Sequence, residues 1–348
     1  MADQATAFAP GRVNLIGEHT DYNEGLALPF AISDGVTVRA TRTGEDRFQV
    51  IASDLDAHDA FALDAVSPVA GWRAFARGAV AELRAAGSAL VGARLEITGS
   101  VPRGSGLSSS AALEVALCLA LLGVADVAPP ERLELARLCS RVENDWVGAQ
   151  TGLLDQIASL FGEPESAMRI DFRSMEVTPV ALELDGYRLV TLDSGERHAN
   201  AGGEDGAEGY NQRRAECVRA AELLGVESLR DATLDGVEEL PEPLRARARH
   251  VVTENARVQD TVEALSNGDL ERVGDLLNAS HASLRDCFAI STPTVERTVQ
   301  RLVDAGAIGA RIVGGGFGGH VLGLMPPDTA PPPGALAVEP GPGARIIR

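Results

Sequence analysis

The beginning of the chain has a pattern typical of two strands joined by a loop. Between residues 6 and 16, apolar side chains such as Val13 and Leu15 take every second position, and this period of two predicts a strand with one buried face. A polar stretch at 17–25 follows, and the continuous apolar run at 26–32 predicts a second, buried strand. The sequence therefore places a polar loop between two apolar strands.

Later segments carry the spacing typical of helices. After Pro130, the apolar residues Leu135, Leu138, Cys139 and Val142 fall at i, i+3, i+4 and i+7, which puts them on one face of a helix. The same reasoning predicts further helices at 72–86, at 109–124 and after Gly152, and a short strand at 95–98. Strands and helices thus mix along the chain without a regular βαβ alternation.

The length of the chain and one of its loops indicate two domains. A chain of 348 residues is long enough for two domains of ordinary size, and the loop at 162–166, which contains Pro164, is the candidate boundary. We therefore expect an N-terminal domain at 1–163 and a C-terminal domain at 164–348.

Two other segments are predicted to lack regular structure. The stretch 201–209 is acidic and rich in glycine, which predicts a mobile loop. The stretch 326–343 contains too much proline and glycine for a helix, so we expect it to wrap around the surface.

The composition excludes several classes of partner. The net charge is −19, and all 31 basic residues are arginine because the chain contains no lysine. Nucleic acids and anionic membranes attract basic surfaces, so we expect neither as a partner. The apolar stretch 111–124 is too short to span a membrane, and the start of the chain does not resemble a secretory signal. We therefore expect a cytoplasmic protein, and a monomer.

The missing lysine and the cysteines narrow the chemistry further. Sites that rely on a P-loop lysine or a Schiff-base lysine are excluded, so any phosphate must be held by arginine, backbone N–H groups and a metal. The cysteines form no CxxC pair, which predicts buried free thiols rather than a zinc site or a disulfide framework. They are Cys118, Cys139, Cys217 and Cys287.

The polar loop carries the first candidate site. In APGRVNLIGEHTDYNEG, residues 9–25, Glu18, His19 and Asp21 lie within four residues. Two carboxylates beside an imidazole suit a ligand with several hydroxyl groups, because each carboxylate can accept from two neighbouring hydroxyls. A sugar has this chemistry. A solvated acidic loop is the structural alternative, but the flanking glycines and the adjacent Arg12 favour a binding site.

A second candidate combines glycines, serines and the start of a helix. In VPRGSGLSSSAALEVA, residues 101–116, the loop leads directly into a predicted helix. Free backbone N–H groups at the positive end of a helix dipole attract anions such as phosphate. An ordinary serine N-cap is the alternative, but three serines at 108–110 behind Gly104 and Gly106 exceed what a cap requires.

The third candidate is a pair of acids among apolar residues. In RVENDWVGAQTGLLDQIAS, residues 141–159, Glu143 lies near the end of one predicted helix and Asp155 at the start of the next. Asp155 comes three residues after Gly152, so on this pattern alone an acid that stabilises the first helical turn is the favoured interpretation and a site residue the alternative.

A fourth segment, VGGGFGGHVLGL at 313–324, formally contains GxGxxG. A dinucleotide site needs a helix immediately afterwards, but an alternating, strand-like run begins at His320. The segment instead predicts a tight turn whose backbone approaches a ligand or another loop closely.

Taken together, these segments resemble the galactokinase family of the GHMP small-molecule kinases. GRVNLIGEHTDY is similar to that family's signature, and PRGSGLSSSAALE and GGGFGG are similar to the second and third GHMP-kinase motifs. GLLDQ, DSGERH, YNQRRAEC and SHASLRD also match in the expected order. The resemblance implies an α+β fold of two domains, a mixed-sheet N-terminal domain and a C-terminal domain of antiparallel sheet and helices, with the active site between them.

The resemblance also implies a reaction, transfer of the ATP γ-phosphate to the C1 hydroxyl of galactose with Mg²⁺ as cofactor. Asp155 would be the catalytic base, with Arg12 as its cationic neighbour. The residues implied to bind the sugar are Glu18, His19, Asp21, Gly152 and Tyr210. Those implied to bind the nucleotide are Gly104, Ser105, Gly106, Leu107, Ser108, Ser109 and Ser110. Mg²⁺ would be held by Ser110 and Glu143.

Related functions stay open on the sequence alone. An N-acetylgalactosamine kinase of the same superfamily differs in the room needed at C2 of the sugar. Mevalonate and homoserine kinases are disfavoured because their substrates lack a ring of hydroxyl groups. A sensor that binds galactose and ATP without turnover is the alternative outside the enzymes, and the presence of both Asp155 and Arg12 favours catalysis.

Overall fold

The structure is a computed structural model that describes residues 3–101, 106–196 and 204–347. Its strands are β1 (Gln4–Asn14), β2 (Leu26–Ala27), β3 (Pro29–Arg42), β4 (Arg47–Ala52), β5 (Ala57–Ala62), β6 (Ala93–Gly99), β7 (Ser166–Asp171), β8 (Glu176–Ala181), β9 (Arg188–Asp193), β10 (Gly309–Ile312), β11 (His320–Met325), β12 (Leu336–Ala337) and β13 (Arg345–Ile347). Its α-helices are α1 (Arg73–Ala85), α2 (Ser109–Ala125), α3 (Arg132–Arg141), α4 (Leu154–Phe161), α5 (Glu204–Leu224), α6 (Leu234–Glu238), α7 (Leu244–Ser266), α8 (Leu270–Asp286) and α9 (Pro293–Asp304).

The N-terminal part is built on a mixed sheet in the order β13-β1-β3-β6-β4-β5. The β4–β6 pair is parallel and the other pairs are antiparallel. The strands predicted at 6–16 and 95–98 are confirmed as β1 and β6, and the four predicted helices are confirmed as α1 to α4.

Beyond its two initial serines, helix α2 is apolar on every side except at the buried Glu114, and it packs against β1 and β3. A helix without a polar face is stable only when other elements surround it, and here the mixed sheet and the neighbouring helices do so. Among the described helices, none is long and apolar enough to cross a membrane.

The expectation of one strand at 26–32 is wrong in one respect, because the apolar run divides between two sheets. Leu26 and Ala27 form β2 and pair with β7, whereas β3 begins at Pro29 and pairs with β1. Leu28 lies between them, where its backbone bonds with Leu15 and Ile16. The whole run is buried, so its apolar pattern does not reveal the change of partner.

The C-terminal part has an antiparallel sheet in the order β10-β11-β9-β12, with helices α5 to α9. The mobile loop expected at 201–209 is wrong from residue 204 onward, because α5 already begins there. Arg213, Cys217 and Ala220 bury one face of this helix. Extending a helix from an established turn costs less free energy than starting one. The helix therefore extends back through Gly206 and Gly209. Residues 201–203 lie outside the described residues.

The segment 326–343 has no helix and follows the surface back to the first sheet, as expected. Gly341 N–H donates to the carbonyl of Ala31, and Gly343 N–H donates to that of Gly162. Strand β13 then pairs with β1, while β7, which follows residue 163, pairs with β2. Backbone pairing thus crosses the proposed boundary at 163/164, and the two-domain limits stay a proposal.

One hydrophobic core joins the two parts beneath the polar loop at 17–25. It combines residues on both sides of that loop with residues of the C-terminal sheet and helices, including Val13, Leu15, Leu28, Phe30, Leu189, Val258, Leu276 and Leu322. The loop therefore leaves from, and returns to, a fixed base.

Candidate active site

Asp155 is held by two side chains at the start of α4. The Arg12 guanidinium lies 2.6 Å from Asp155 Oδ1, and its Nε donates to the same oxygen at 2.9 Å. Ser108 Oγ donates to Oδ2 at 2.5 Å. The N-cap position of α4 is Leu153, and no side chain caps it. Both carboxylate oxygens therefore serve contacts with other segments, which does not fit a residue that only stabilises its own helix.

Arg12 reaches this position because β1 is irregular beside it. The β1–β3 register shifts between Pro10 and Arg12, and such a bulge redirects the side chains that follow. Gly11, at the shift, packs so closely that an added Cβ would lie 2.5 Å from the Leu107 carbonyl oxygen. The second candidate segment (101–116), called the phosphate-loop candidate from here on, is thereby held against β1 at Leu107. Arg12 also donates to the Gly106 carbonyl at 2.5 Å.

Glu143 lies on a π-helical turn that continues α3, a form of helix that is frequent at functional sites. Its Oε1 accepts from Ser110 Oγ at 2.8 Å. Its Oε2 accepts from Thr151 Oγ1 and Gln156 Nε2, each at 2.9 Å. Burial raises the pKa of Glu143, and the negative charge of Asp155 raises it further. The structure thus brings the two predicted metal ligands, Ser110 and Glu143, into contact.

Glu18 and His19 are buried at the start of the loop that follows β1. Glu18 Oε1 accepts from the Gly314 N–H at 2.8 Å and lies 3.3 Å from Arg311 Nη2. His19 has a left-handed backbone with φ of 59°, which is uncommon outside glycine and recurs at functional sites. Burial lowers the pKa of His19 to about 3, with His250 as the next contribution, so the ring is neutral at physiological pH.

Asp21 faces the glycine that the sequence assigned to the same site. A Cβ on Gly152 would lie 1.9 Å from Asp21 Oδ2, so only glycine fits there beside the carboxylate. Burial raises the pKa of Asp21 to about 6, and the charges of Asp155 and Glu18 act in the same direction. The carboxyl group of Asp21 therefore titrates close to physiological pH.

These side chains surround one pocket. Its walls are formed by Arg12, Glu18, His19, Asp21, Thr151, Gly152, Leu154, Asp155, Tyr210, Gly314 and Gly315. All residues predicted for catalysis and sugar binding are among them. Ser108 bonds with Asp155, which lines the pocket. Ser110 bonds with Glu143, which lies behind the wall and accepts from Thr151 of the wall. Gly104 and Ser105 lie outside the described residues.

The glycine-rich turn at 314–319 closes the pocket from the C-terminal side. Strand β11 follows it directly, which confirms that it is not the start of a dinucleotide-binding helix. A Cβ on Gly314 would lie 3.1 Å from the Gly106 carbonyl oxygen, and the Gly314 N–H bonds with Glu18. The expected close backbone approach is thus made to the phosphate loop and to the polar loop.

Three family profiles match different parts of the chain. The galactokinase galactose-binding signature matches residues 2–42, the GHMP kinases N terminal domain matches 74–163, and the GHMP kinases C terminal domain matches 261–337. The galactokinase of Mycobacterium tuberculosis is 48% identical over 329 residues, which cover 92% of this chain and 89% of that protein. The chain belongs to the galactokinase family.

Solved structures agree with the galactokinase assignment. The crystal structure of Lactococcus lactis galactokinase complexed with galactose superposes with a TM-score of 0.90 at 31% identity, covering 99% of this chain and 95% of that one. The mevalonate kinase of Methanococcus jannaschii superposes with a TM-score of 0.69 at 18% identity, covering 97% and 98%, which is a similarity of fold alone. The expected α+β GHMP fold is thereby confirmed.

In this galactokinase fold, several side chains around the pocket were not predicted from the sequence. Thr151 and Gln156 hold Glu143, and Tyr22 contacts His19 at 2.8 Å. Arg311 is fully buried and donates to the backbone carbonyls of residues 14 and 15. Gln156 and Tyr22 belong to the family-like segments GLLDQ and GEHTDY, so the sequence did contain a signal for them. No such segment surrounds Arg311, which lies within β10.

Proposed function

We propose that the chain is an ATP-dependent galactokinase that phosphorylates the C1 hydroxyl of galactose to give galactose 1-phosphate. One observation carries the proposal. A carboxylate held between an arginine and a serine of the phosphate-loop candidate, Asp155, lies on the wall of the pocket that Glu18, His19 and Asp21 also line. The 48% identity to a galactokinase over most of the chain supports the same substrate.

Asp155 would accept the proton of the C1 hydroxyl as that oxygen attacks the γ-phosphorus. Arg12 lies 2.6 Å from the acid, so its positive charge would lie near the negative charge that develops on the transferred phosphoryl group. Phosphoryl transfer depends mainly on positioning and charge stabilisation, which is what this fixed pair of side chains provides.

The remaining side chains of the pocket wall would hold the sugar. The carboxylates of Glu18 and Asp21 supply acceptors for hydroxyl groups, and Gly152 leaves room for Asp21 to lie against the backbone. Tyr210 packs against the His19 ring with a centroid distance of 5.2 Å. An aromatic wall and two carboxylates suit the apolar and polar faces of a hexose.

The nucleotide phosphates would bind at the N-terminus of α2, where free N–H groups attract anions. The chemistry of Ser110 and Glu143 fits Mg²⁺, which takes one or two carboxylate oxygens and completes its shell with phosphates and water. Glu143 is a buried acid next to Asp155, a place where a cation is favourable. In the described part of the chain no cluster of three His, Cys, Asp or Glu side chains could hold a metal ion. Bound Mg²⁺ would neutralise charge on the phosphates.

The experiment is turnover with a panel of substrates. Purified protein with Mg-ATP is given galactose, N-acetylgalactosamine, glucose or mevalonate, ADP release is followed, and the phosphorylated position is identified by ³¹P NMR. We expect galactose 1-phosphate as the main product. Preference for N-acetylgalactosamine would identify the related sugar kinase, and binding of galactose and ATP without ADP release would identify a sensor. We also propose that the protein is cytoplasmic and monomeric.

A further inference from the structure

The ring of His19 is enclosed by aromatic residues and has one nitrogen bonded and one not. Phe288 and Tyr210 pack on it with centroid distances of 4.7 and 5.2 Å. Nδ1 lies 2.8 Å from Tyr22 Oη. Nε2 is buried and has no hydrogen-bond partner in the described parts of the chain. A buried polar atom without a partner is rare and needs an explanation, and here the atom belongs to a side chain that lines the pocket.

Two arrangements of protons are compatible with this geometry. His19 is neutral, so one ring nitrogen carries a hydrogen and the other a lone pair. Either Tyr22 donates to Nδ1 and Nε2 carries the hydrogen, or Nδ1 donates to Tyr22 and Nε2 presents a lone pair. Burial keeps the Tyr22 phenol protonated by raising its pKa well above its usual value, so its hydrogen needs an acceptor.

The surroundings favour the first arrangement. Nδ1 is the one hydrogen-bond partner of the Tyr22 hydroxyl within the described chain. The charges that act on His19, from His250, Arg213 and Arg311, lower its pKa, so they keep the ring neutral and do not decide between the two forms. The Gly315 backbone raises the pKa of His19 against the larger effect of burial, as a carbonyl near a ring N–H would, although Nε2 makes no complete hydrogen bond with it.

We infer that Tyr22 is a positioning residue: its hydroxyl fixes the neutral His19 ring with the hydrogen on Nε2, so that His19 is an uncharged donor to an oxygen of the sugar. Tyr22 acts through His19 rather than on the sugar. This inference rests on the proposed function for the identity of the sugar, but not for the state of the ring. Recognition of the sugar would then involve a hydrogen-bond donor on His19 in addition to the carboxylate acceptors of Glu18 and Asp21.

A second histidine provides an internal reference. His250 also packs against Phe288, with a centroid distance of 4.6 Å. Its Nε2 is 3.1 Å from the Glu18 carbonyl oxygen, and its Nδ1 is 2.8 Å from Ser283 Oγ. A carbonyl oxygen can only accept, so His250 carries its hydrogen on Nε2 whatever happens at Tyr22.

The test measures the ring directly by NMR. Protein labelled with ¹⁵N-histidine, without sugar or nucleotide, gives two-bond ¹H–¹⁵N correlations that distinguish the two neutral forms. His19→Asn identifies the His19 signals among the six histidines. We expect His19 in the Nε2–H form in the wild type and a new Nδ1–H population in Tyr22→Phe, while His250 is unchanged. A wild-type Nδ1–H form, or a Tyr22→Phe ring that stays entirely Nε2–H, would overturn the inference.

Kinetics then test whether the fixed ring matters for the sugar. Tyr22→Phe should raise KM for galactose about fivefold, the value of one ordinary hydrogen bond, with kcat within about twofold. Tyr187→Phe is the matched control, because its hydroxyl bonds with Glu271 far from the pocket, and it should leave KM unchanged. An unchanged KM in Tyr22→Phe would overturn the role in sugar binding. If the wild type does not phosphorylate galactose, the proposed function fails, and the NMR result still decides the state of the ring.

Discussion

Asp155 and Asp21 are aspartates on the wall of one pocket, and their surroundings give them different chemistry. Asp155 is bonded with a guanidinium and a hydroxyl, which suits a carboxylate that takes a proton during the reaction. Asp21 lies against Gly152 and forms no such ion pair with the described residues, and burial raises its pKa to about 6. Under the proposed function, the same type of side chain would serve as base in one place and as a pH-sensitive acceptor in the other.

The first prediction follows from this titration of Asp21. Its pKa is raised, so the carboxyl group becomes protonated as pH falls below about 6, and a protonated carboxyl loses acceptors for sugar hydroxyls. KM for galactose should rise as pH falls through 6, by about tenfold per pH unit below it. Steady-state KM from about pH 5 to about pH 8 is the measurement. Asp21→Asn should have a higher KM that varies little over this range, and a wild-type KM independent of pH would contradict the prediction.

Site residues that lie close together along the sequence were predicted, whereas those that only folding brings to the site were not. Glu18, His19 and Asp21 stand together in one loop, so their cluster is visible along the chain. Arg311 lies 3.3 Å from Glu18 of the same loop although almost 300 positions separate them in the sequence, and nothing around Arg311 in the sequence differs from an ordinary strand. Only packing brings it to the site.

At the scale of elements, the site consists of the ends of strands and helices. Arg12 comes from the bulged end of β1, Ser108 precedes α2, and Asp155 opens α4. Rigid elements thereby hold functional groups that loops alone would not fix. The loop between the π-helical turn and α4 contains Gly152, where one added Cβ atom would collide with Asp21.

The second prediction concerns that glycine. In Gly152→Ala, the new Cβ would lie 1.9 Å from Asp21 Oδ2, so Asp21 must move, and the bonds that we propose it makes to the sugar would be lost. KM for galactose should rise by about tenfold or more, whereas KM for Mg-ATP should change little. Steady-state kinetics measures both. Gly99→Ala is the control, because its Cβ would meet no atom closer than 3.5 Å. A normal galactose KM in Gly152→Ala would show that Asp21 does not contact the sugar.

The positions of helices and strands were predicted correctly where the local spacing of apolar residues determines them. The predictions were wrong where strand pairing or packing with other elements determines them. The spacing of apolar residues identified α1 to α4 and β1. It did not reveal that the run at 26–32 passes from one sheet to another, because both sheets bury it completely. At 204–209 the composition favoured a loop, but packing of the later turns of α5 extends the helix.

At the scale of the whole molecule, buried charges connect the C-terminal helices to the polar loop. Glu254, on α7, is fully buried. It accepts from the Gly17 N–H, from Ser280 and from Arg257. Burial alone would raise the pKa of Glu254, but Arg257, and then His250 and Arg311, together lower it to about 2. The carboxylate therefore stabilises the fold above its ordinary pKa of 4.5, and this stabilisation is lost as pH falls towards 2.

The third prediction is that Glu254→Ala destabilises the protein by about 3 kcal/mol or more, because Arg257 and the Gly17 N–H lose a buried partner. Urea unfolding at neutral pH measures the free energy of unfolding. Glu263→Ala, at an exposed position of the same helix, should change it by less than about 0.5 kcal/mol. Equal effects of the two substitutions would argue against a stabilising role for the buried network.

The most direct test of the account is the loss of turnover in Asp155→Asn. Removing a general base typically lowers kcat about 10²–10⁴-fold, whereas the sugar should still bind because Glu18, His19 and Asp21 are unchanged. Both kcat and the galactose Kd are measured, with Asp145→Asn, at an exposed position of the neighbouring π-helical turn, as the control. The account predicts a kcat at least a hundredfold below wild type with Kd within a few-fold. A kcat within tenfold of wild type would contradict the assignment of Asp155 as the base.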